Sequence, residues 1–333
     1  MTLETKPLVS ICMATYNGAE TVQRALESAI NQTYENIEIL VFDDASSDAT
    51  FEIIKSMKTT RTVILNRNNE RLGMSDNYNN FLSHASGEFL VLFDQDDYRS
   101  ATFVQNAVTE LQKDHTTSVV LPSISVNFLK EPQHINEYRY WGNAKTPRSR
   151  VWAFLRRPTD FIPYGLLRTS VLKDIGGWTV SNSSFHRIAF GLITFGNVKH
   201  IQDDFMYYQA KGAVGRPTPF EERQRNSSSQ SSKFSRFFRL LEFHSSYTQI
   251  IWRVSKFSYF HKLGLTGLVW LDFLLKSALK IFNTLILSGF KRNLPKPVFD
   301  FLVYLTYPTD NIEFLTNPKN TESGYYKLNW PLS

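Results

Sequence analysis

The sequence predicts an α/β fold, a mostly parallel sheet flanked by helices, with a C-terminal helical extension. Three observations predict it. Apolar, β-rich runs alternate with helix-periodic segments over the first 130 residues. Polar and acidic clusters follow directly on three of the apolar runs. Beyond residue 232 the chain turns aromatic and basic, with long apolar stretches of helical period.

Val9–Ala14 reads as the first strand, and Asn17-Gly18 as the turn that ends it. Val22, Ala25, Leu26, Ala29 and Ile30 recur at helical spacing. Ile37–Phe42 is a second strand that stops at Asp43-Asp44, and Ser46 or Ser47 is the expected N-cap of a helix over Ala49–Met57. Thr62–Leu65 and Phe89–Phe93 read as further strands, with a helix over Ser75–His84 between them. Phe89–Phe93 is wholly apolar and is expected to be buried on both faces. Tyr98–Lys113 reads as helical, with Asp97 as its expected cap. Val119–Phe128 is a further strand candidate, and Pro132–Arg150 reads as a loop. Gly165–Arg168, Ser170–Ile175 and Gly176-Gly177-Trp178 suggest strand, helix and glycine stop; Ile188–Phe195 reads as a helix and Val198–Ile201 as a strand.

In open α/β sheets ligands bind beyond the carboxyl ends of the strands. The polar clusters fall at those ends: Thr15-Tyr16-Asn17, Asp43-Asp44 and Asp94-Gln95-Asp96-Asp97. Asp94 and Asp96 stand two apart after an apolar strand, so their carboxylates can face the same way and hold a divalent cation against a diphosphate.

Composition narrows the class. With 333 residues, 42% of them hydrophobic, the chain has ample core material. One cysteine, Cys12, excludes a disulfide framework and a cysteine-based zinc site, and suits a reducing cytoplasm. The polar start Met1–Lys6 shows no signal-peptide pattern. The net charge of +6 is unevenly spread, with acidic clusters in the first hundred residues and Arg and Lys crowding the second half. A nicotinamide oxidoreductase is set aside, because its glycine-rich first turn is replaced here by Ala14-Thr15-Tyr16-Asn17-Gly18. Nucleic-acid binding lacks a module, and no nucleic-acid partner is expected.

Several segments resemble family 2 glycosyltransferases of the GT-A fold: Val9–Asn17, Gln32-Thr33-Tyr34, Asp43–Asp48, Asn68–Gly73 with Asn77, and Gly87–Asp97. A weaker match runs through Gly176-Gly177-Trp178. The resemblance implies a Rossmann-like GT-A domain and an inverting transfer from a nucleotide-sugar donor to a saccharide or lipid-linked acceptor. That transfer would depend on Mn2+ or Mg2+ and belong to cell-surface polysaccharide biosynthesis. It implies that Thr15 and Tyr16, with Asn17, lie against the base and that Asp44 accepts a hydrogen bond from it. Arg71 would meet the nucleotide or its diphosphate, Asp94 and Gln95 the ribose region, and Asp94 and Asp96 the metal.

The match fails at the general base. The family's carboxylate is expected about ten residues after the Gly-Gly-aromatic stop, yet Thr179–Phe185 holds none, and His186 is the titratable group there. Asp203-Asp204 are the next candidates, at the expected end of a strand. A donor-binding scaffold that has lost its base is the alternative function. The Gln-x-x-Arg-Trp signature of processive members is absent, which favours single addition.

The expected organisation is a catalytic domain over residues 1–225, a linker over 226–232, and a helical, aromatic and basic region over 233–333. Lys211, Arg216 and Arg223 suggest a basic loop that closes on the diphosphate. Leu263–Phe290 is long and apolar, with Asp272, Lys276, Lys280 and Asn283 in one narrow stripe. Three readings stay open: a membrane span, an in-plane helix on an anionic surface, and a helix packed on the domain or in a homodimer. The expected location is cytoplasmic and peripheral on the inner face of the cell membrane.

Overall fold

The computed structural model describes residues 6–126, 133–135, 144–156, 158–179, 184–208 and 233–285. The expected linker over 226–232, the expected basic loop with Lys211, Arg216 and Arg223, and residues 286–333 lie outside them.

The first half follows the alternating pattern. Its elements are β1 (Val9–Thr15), α1 (Val22–Ile30), β2 (Ile37–Asp43), α2 (Thr50–Ser56), β3 (Thr62–Arg67), α3 (Met74–His84) and β4 (Phe89–Leu92). These four strands run parallel in the order β3-β2-β1-β4, with Val9 opposite both Ile37 and Phe89. Because side chains alternate across a strand, each strand feeds two cores. Ile11, Met13, Ile39, Val41, Phe89 and Val91 pack with the apolar faces of α1 and of α4 (Phe103–Lys113). Cys12, Leu40, Phe42, Leu90 and Leu92 pack towards α3 and the later helices. All four residues of β4 are fully buried, as its unbroken apolar run requires.

Beyond β4 the sheet becomes mixed. β5 (Tyr98–Arg99), β6 (Thr117–Val126), β7 (Gln133–Ile135), β8 (Leu166–Arg168) and β9 (Asn197–Tyr208) continue it in the order β4-β8-β6-β9-β5, with β7 on β6. Only the β6–β9 pairing is parallel there. The remaining helices are α5 (Pro147–Arg156), α6 (Thr169–Ile175), α7 (Ser184–Phe195), α8 (Lys233–Arg253) and α9 (Tyr259–Leu285), with a 3-10 turn over Ile162–Tyr164. Gly176, at φ +90°, supplies the left-handed stop of α6.

Four local expectations are corrected. Asp97 caps no helix: Tyr98-Arg99 pair with Tyr207 and Met206 as a short strand, and α4 begins only at Phe103. Neither Ser46 nor Ser47 caps α2; the Asp48 carboxylate accepts from the Thr50 amide, while the Ser46 hydroxyl donates to Asp43. The end of the expected loop 132–150 is already helical in α5, whose Arg150 reaches Ile193 O and Asn197. Asp203-Asp204 lie within β9, at a bulge where the register against β6 shifts. Asp204 is buried there and takes hydrogen bonds from Thr102 and Asn106, so it pins β9 to α4.

The C-terminal helices share the main core. Tyr247, Ile250, Ile251 and Val254 of α8 and Leu265 and Val269 of α9 belong to the same apolar cluster as Cys12 and Leu90, and Tyr247 stacks on Phe190 at 4.2 Å. Asp272 and Lys276, which begin the stripe, face inward. Asp272 Oδ2 lies 3.0 Å from His244 Nε2 and 2.8 Å from Lys276 Nζ, which also donates to Leu155 O. Among the described residues no helix is long and apolar enough to cross a membrane.

A buried ion-paired group is costly to orphan. Asp272→Ala is expected to lower unfolding stability by about 3 kcal/mol, against less than about 0.5 kcal/mol for the exposed Asp203→Ala. Paired chemical denaturation curves check this.

Candidate active site

The carboxyl ends of β1, β2 and β4 lie side by side, so the three polar clusters meet on one rim. After β1 the chain turns sharply, with Asn17 at φ 49°. Side chains from distant segments hold this turn. Gln95 Nε2 donates to Tyr16 O at 3.0 Å and its Oε1 accepts from Tyr16 N at 2.9 Å. The Asn17 amide donates to Ser46 Oγ, and Asn17 Oδ1 accepts from the Ser47 amide. Thr15 is buried and donates to Asp43. Gln95 and Thr15 therefore act on the framework of the rim, while Tyr16 and Asn17 remain partly or fully exposed.

Asp43 and Asp44 divide the labour after β2. Asp43 is fully buried and takes the Ser46 amide and hydroxyl and the Thr15 hydroxyl, with Arg67 Nε 3.5 Å away. Asp44 organises the loop before α3. Its Oδ1 accepts from Asn68 Nδ2 and Leu72 N, and its Oδ2 from Gly73 N at 2.9 Å. The positive φ of Gly73, +89°, belongs to that loop. Three donors leave one lone-pair site on Oδ2. The same loop carries Arg71, whose guanidinium stands 4.1 Å from the centroid of the Tyr16 ring. Such a planar cation on an aromatic face is a ready platform for a base.

After β4, one carboxylate oxygen from each of Asp94, Asp96 and Asp97 lies within 4.8 Å of the others. Tyr78 of α3 donates to Asp94 Oδ1 at 2.9 Å, and the Tyr164 hydroxyl bonds to the same carboxylate. Arg99, buried and bonded to Leu92 O, supplies positive charge beside Asp97 and Asp94. Burial pushes Asp94 up from the usual carboxylate range, with the tyrosine hydrogen bonds and Arg99 opposing it. Burial and then the neighbouring Asp94 push Asp96 to about 6. Hard oxygen donors crowded closely enough to raise their own proton affinity fit Mn2+ or Mg2+, whose charge would relieve them. Asp94 and Asp96 would hold such an ion, and Asp97 is the third ligand candidate, missed when it was read as a cap.

An aromatic wall joins this cluster to the Gly-Gly-Trp turn. Tyr78 packs against Trp178 at 5.1 Å and Phe185 at 5.8 Å, and Phe185 stacks on Tyr164 at 5.4 Å. Asn79 clamps Trp178 through its backbone amide and carbonyl, and Arg187 donates to Gly177 O. Tyr78 was legible as the inward neighbour of Phe81 at i,i+3; Tyr164 carries no sequence signal.

His186 sits one residue beyond Phe185, and its ring packs between Phe154 and Phe243. Its Nδ1 lies 2.6 Å from Asp160 Oδ1, a carboxylate from a separate segment. No described contact joins His186 to the acidic cluster. The rim thus unites Thr15, Tyr16, Asn17, Asp44, Arg71, Asp94, Gln95 and Asp96, and His186 stands apart from it.

Asp96 yields a stability prediction. Its proton affinity in the folded protein exceeds the ordinary value of 3.8, so folding favours the protonated form. That contribution is full below about pH 3.8 and lost as pH rises through about 6. At pH 7.5 without metal, Asp96→Asn should therefore stabilise the protein by on the order of 1 kcal/mol. The rise in Tm on adding Mn2+ should disappear in the same variant. Thermal melts of both proteins with and without Mn2+ check it.

Comparison with known proteins agrees with this arrangement. The model of "Glycosyl transferase family 2" matches residues 10–176, half of the chain. An Escherichia coli protein named UDP-Glc:alpha-D-GlcNAc-diphosphoundecaprenol beta-1,3-glucosyltransferase WfaP is 40% identical over 101 residues, 30% of this chain and 40% of that protein. A Pasteurella multocida hyaluronan synthase is 34% identical over 116 residues, 34% of this chain and 12% of its own. The matched segment thus spans less than half the length of either relative. The crystal structure of S. aureus TarS 1–349 superposes with a TM-score of 0.58 over 87% of this chain and 76% of that one, at 16% identity, a likeness of fold. Sequence match, mixed sheet and rim together make this chain a member of glycosyltransferase family 2, built on the GT-A fold.

Proposed function

We propose that the protein transfers a sugar from a nucleotide-sugar donor to a saccharide or lipid-linked acceptor, with inversion and with Mn2+ or Mg2+, in cell-surface polysaccharide biosynthesis. The observation that carries the reading is the rim itself. A cation-stacked aromatic, Tyr16 with Arg71, stands at one strand end and a three-carboxylate cluster at another. These suit the two ends of a nucleoside diphosphate, a flat base and a charged diphosphate. The name of the E. coli relative, with UDP-glucose as donor and a diphosphoundecaprenol-linked sugar as acceptor, supports a uridine diphosphate donor and a lipid-linked acceptor. Such an acceptor favours work at the cytoplasmic face of a membrane.

In an inverting transfer the acceptor hydroxyl oxygen attacks the anomeric carbon from the face opposite the diphosphate. A new glycosidic C–O bond forms. The old anomeric C–O bond breaks, its electron pair leaving with the diphosphate, and the hydroxyl proton passes to a base. A divalent cation, when bound, offsets the charge that grows on the diphosphate. Asp94, oriented by Tyr78 and Tyr164, and Asp96 would hold it, with Asp97 completing the set. Tyr16 and Arg71 would stack the base, and the remaining lone pair of Asp44 would accept from its edge. His186 is the proposed base, with the Asp160 carboxylate close to Nδ1 and Nε2 proposed to take the acceptor proton. The bonds of Asp204 to Thr102 and Asn106 leave it to structure. Single addition is proposed over processive synthesis.

Transfer assays over a panel of nucleotide-sugars with Mn2+ test this. Asp96→Ala should cut turnover at least about 100-fold, and turnover that survives it removes the metal role. His186→Ala should lower kcat by about 100-fold or more with donor affinity unchanged. Transfer left intact puts the base elsewhere. Arg71→Ala should weaken donor binding about fivefold, the worth of one stacked cation, as read by calorimetry.

A further inference from the structure

Helix α9 is amphipathic in the opposite sense to an ordinary surface helix. Its polar groups, Asp272 and Lys276, are turned into the protein and paired with His244 and Leu155 O. Its outer face is apolar. Phe260, Leu263, Leu271, Leu274 and Leu275 recur at helical spacing along one side and are exposed, Phe260 at 82% and Leu274 at 61%. From residue 263 to 278 every exposed position is apolar or glycine. An added Cβ at Gly264 or Gly267 would meet no atom of the described residues within 4 Å, so none of them packs on that side. An uncovered apolar strip of this length marks an interaction surface rather than a solvated one.

What flanks the strip identifies its partner. At its N-terminal end Trp252 and Tyr259, both exposed, meet edge to face, and Lys262 lies over the Trp252 ring. Arg253 and Lys256 are solvent-accessible in the same turn, although Arg253 also donates to Ile175 O and Lys256 to Phe195 O. The single carboxylate among residues 243–278 is Asp272, and it is buried. Amphipathic aromatics beside cations, bordering an apolar strip, match the water–lipid boundary of an anionic bilayer. Spanning is excluded for the described helices.

We propose that α9 lies in the plane of an anionic membrane, its Phe260–Leu275 face in the acyl boundary and Arg253, Lys256 and Lys262 at the headgroups. This rests on the peripheral-membrane part of the function proposed above and names the surface that performs it. Asp272 and Lys276, which begin the charge stripe, lie on the side that fixes the helix to the rest of the fold.

The test is co-sedimentation of the full chain with phosphatidylcholine vesicles, with and without phosphatidylglycerol. The wild type should bind the vesicles that contain phosphatidylglycerol and lose binding as salt rises. The triple variant Phe260→Ser, Leu271→Ser, Leu274→Ser changes exposed positions only, and its circular dichroism and Tm should match wild type. Its partition coefficient should fall at least about tenfold, and Lys262→Glu should lower it about threefold or more. Equal binding by wild type and triple variant overturns the proposal, as does no wild-type binding at any phosphatidylglycerol content, the result if residues 286–333 cover the face. A concentration-dependent dimer in sedimentation velocity that the triple variant abolishes also overturns it, in favour of a second copy. Donor thermal shift with Mn2+ should be the same in the triple variant. Its absence in the wild type would sink the donor site and leave the docking result standing.

Discussion

Carboxylates brought together at the end of a buried strand repel one another, and several parts of the chain are arranged around that repulsion. One oxygen from each of Asp94, Asp96 and Asp97 lies within 4.8 Å of the other two, where burial raises the proton affinity of Asp94, and burial and then the charge of Asp94 raise that of Asp96. The hydroxyls of Tyr78 and Tyr164 and the buried guanidinium of Arg99 offset part of that cost. They come from α3, from the turn before β8 and from β5, so the cluster ties three parts of the chain to the end of β4. The cost that remains is the stored affinity a dication can use.

The tyrosines also connect the two halves of the site. Tyr78 reaches Asp94 through its hydroxyl and Trp178 and Phe185 through its ring. Asn79, the next residue, holds the Gly-Gly-Trp turn by its backbone. A shift of α3 would therefore move the acidic cluster and the turn before α7 together. Asp44 holds the loop that leads into α3, so the donor rim and the aromatic wall share one rigid support.

The C-terminal helices extend this support on the other side. Tyr247 stacks on Phe190, and Asp272 binds His244 and Lys276, so α7, α8 and α9 form one packed layer. His186 sits inside that layer, between Phe154 and Phe243 and against Asp160. The layer that holds His186 is thus the one whose outer face on α9 is apolar.

Local pattern alone determined the β1-to-β4 alternation, the two-faced burial of β4, and the three polar clusters with Asp44, Asp94 and Asp96 among them. Strand period, helix period and turn residues are short-range properties, and a parallel sheet brings its carboxyl ends together by topology. Tertiary structure decided the rest. Tyr98-Arg99 look helical until β9 offers them a partner, and only that pairing frees Asp97 from capping and turns it to the acidic cluster. Asp203-Asp204 look like a strand end until the bulge in β9 carries them past it. The stripe on α9 has the same spacing whether it faces water or protein; the buried partners His244 and Leu155 O decide its direction. In each case the deciding group lies tens of residues away in the chain, and no local periodicity carries that information.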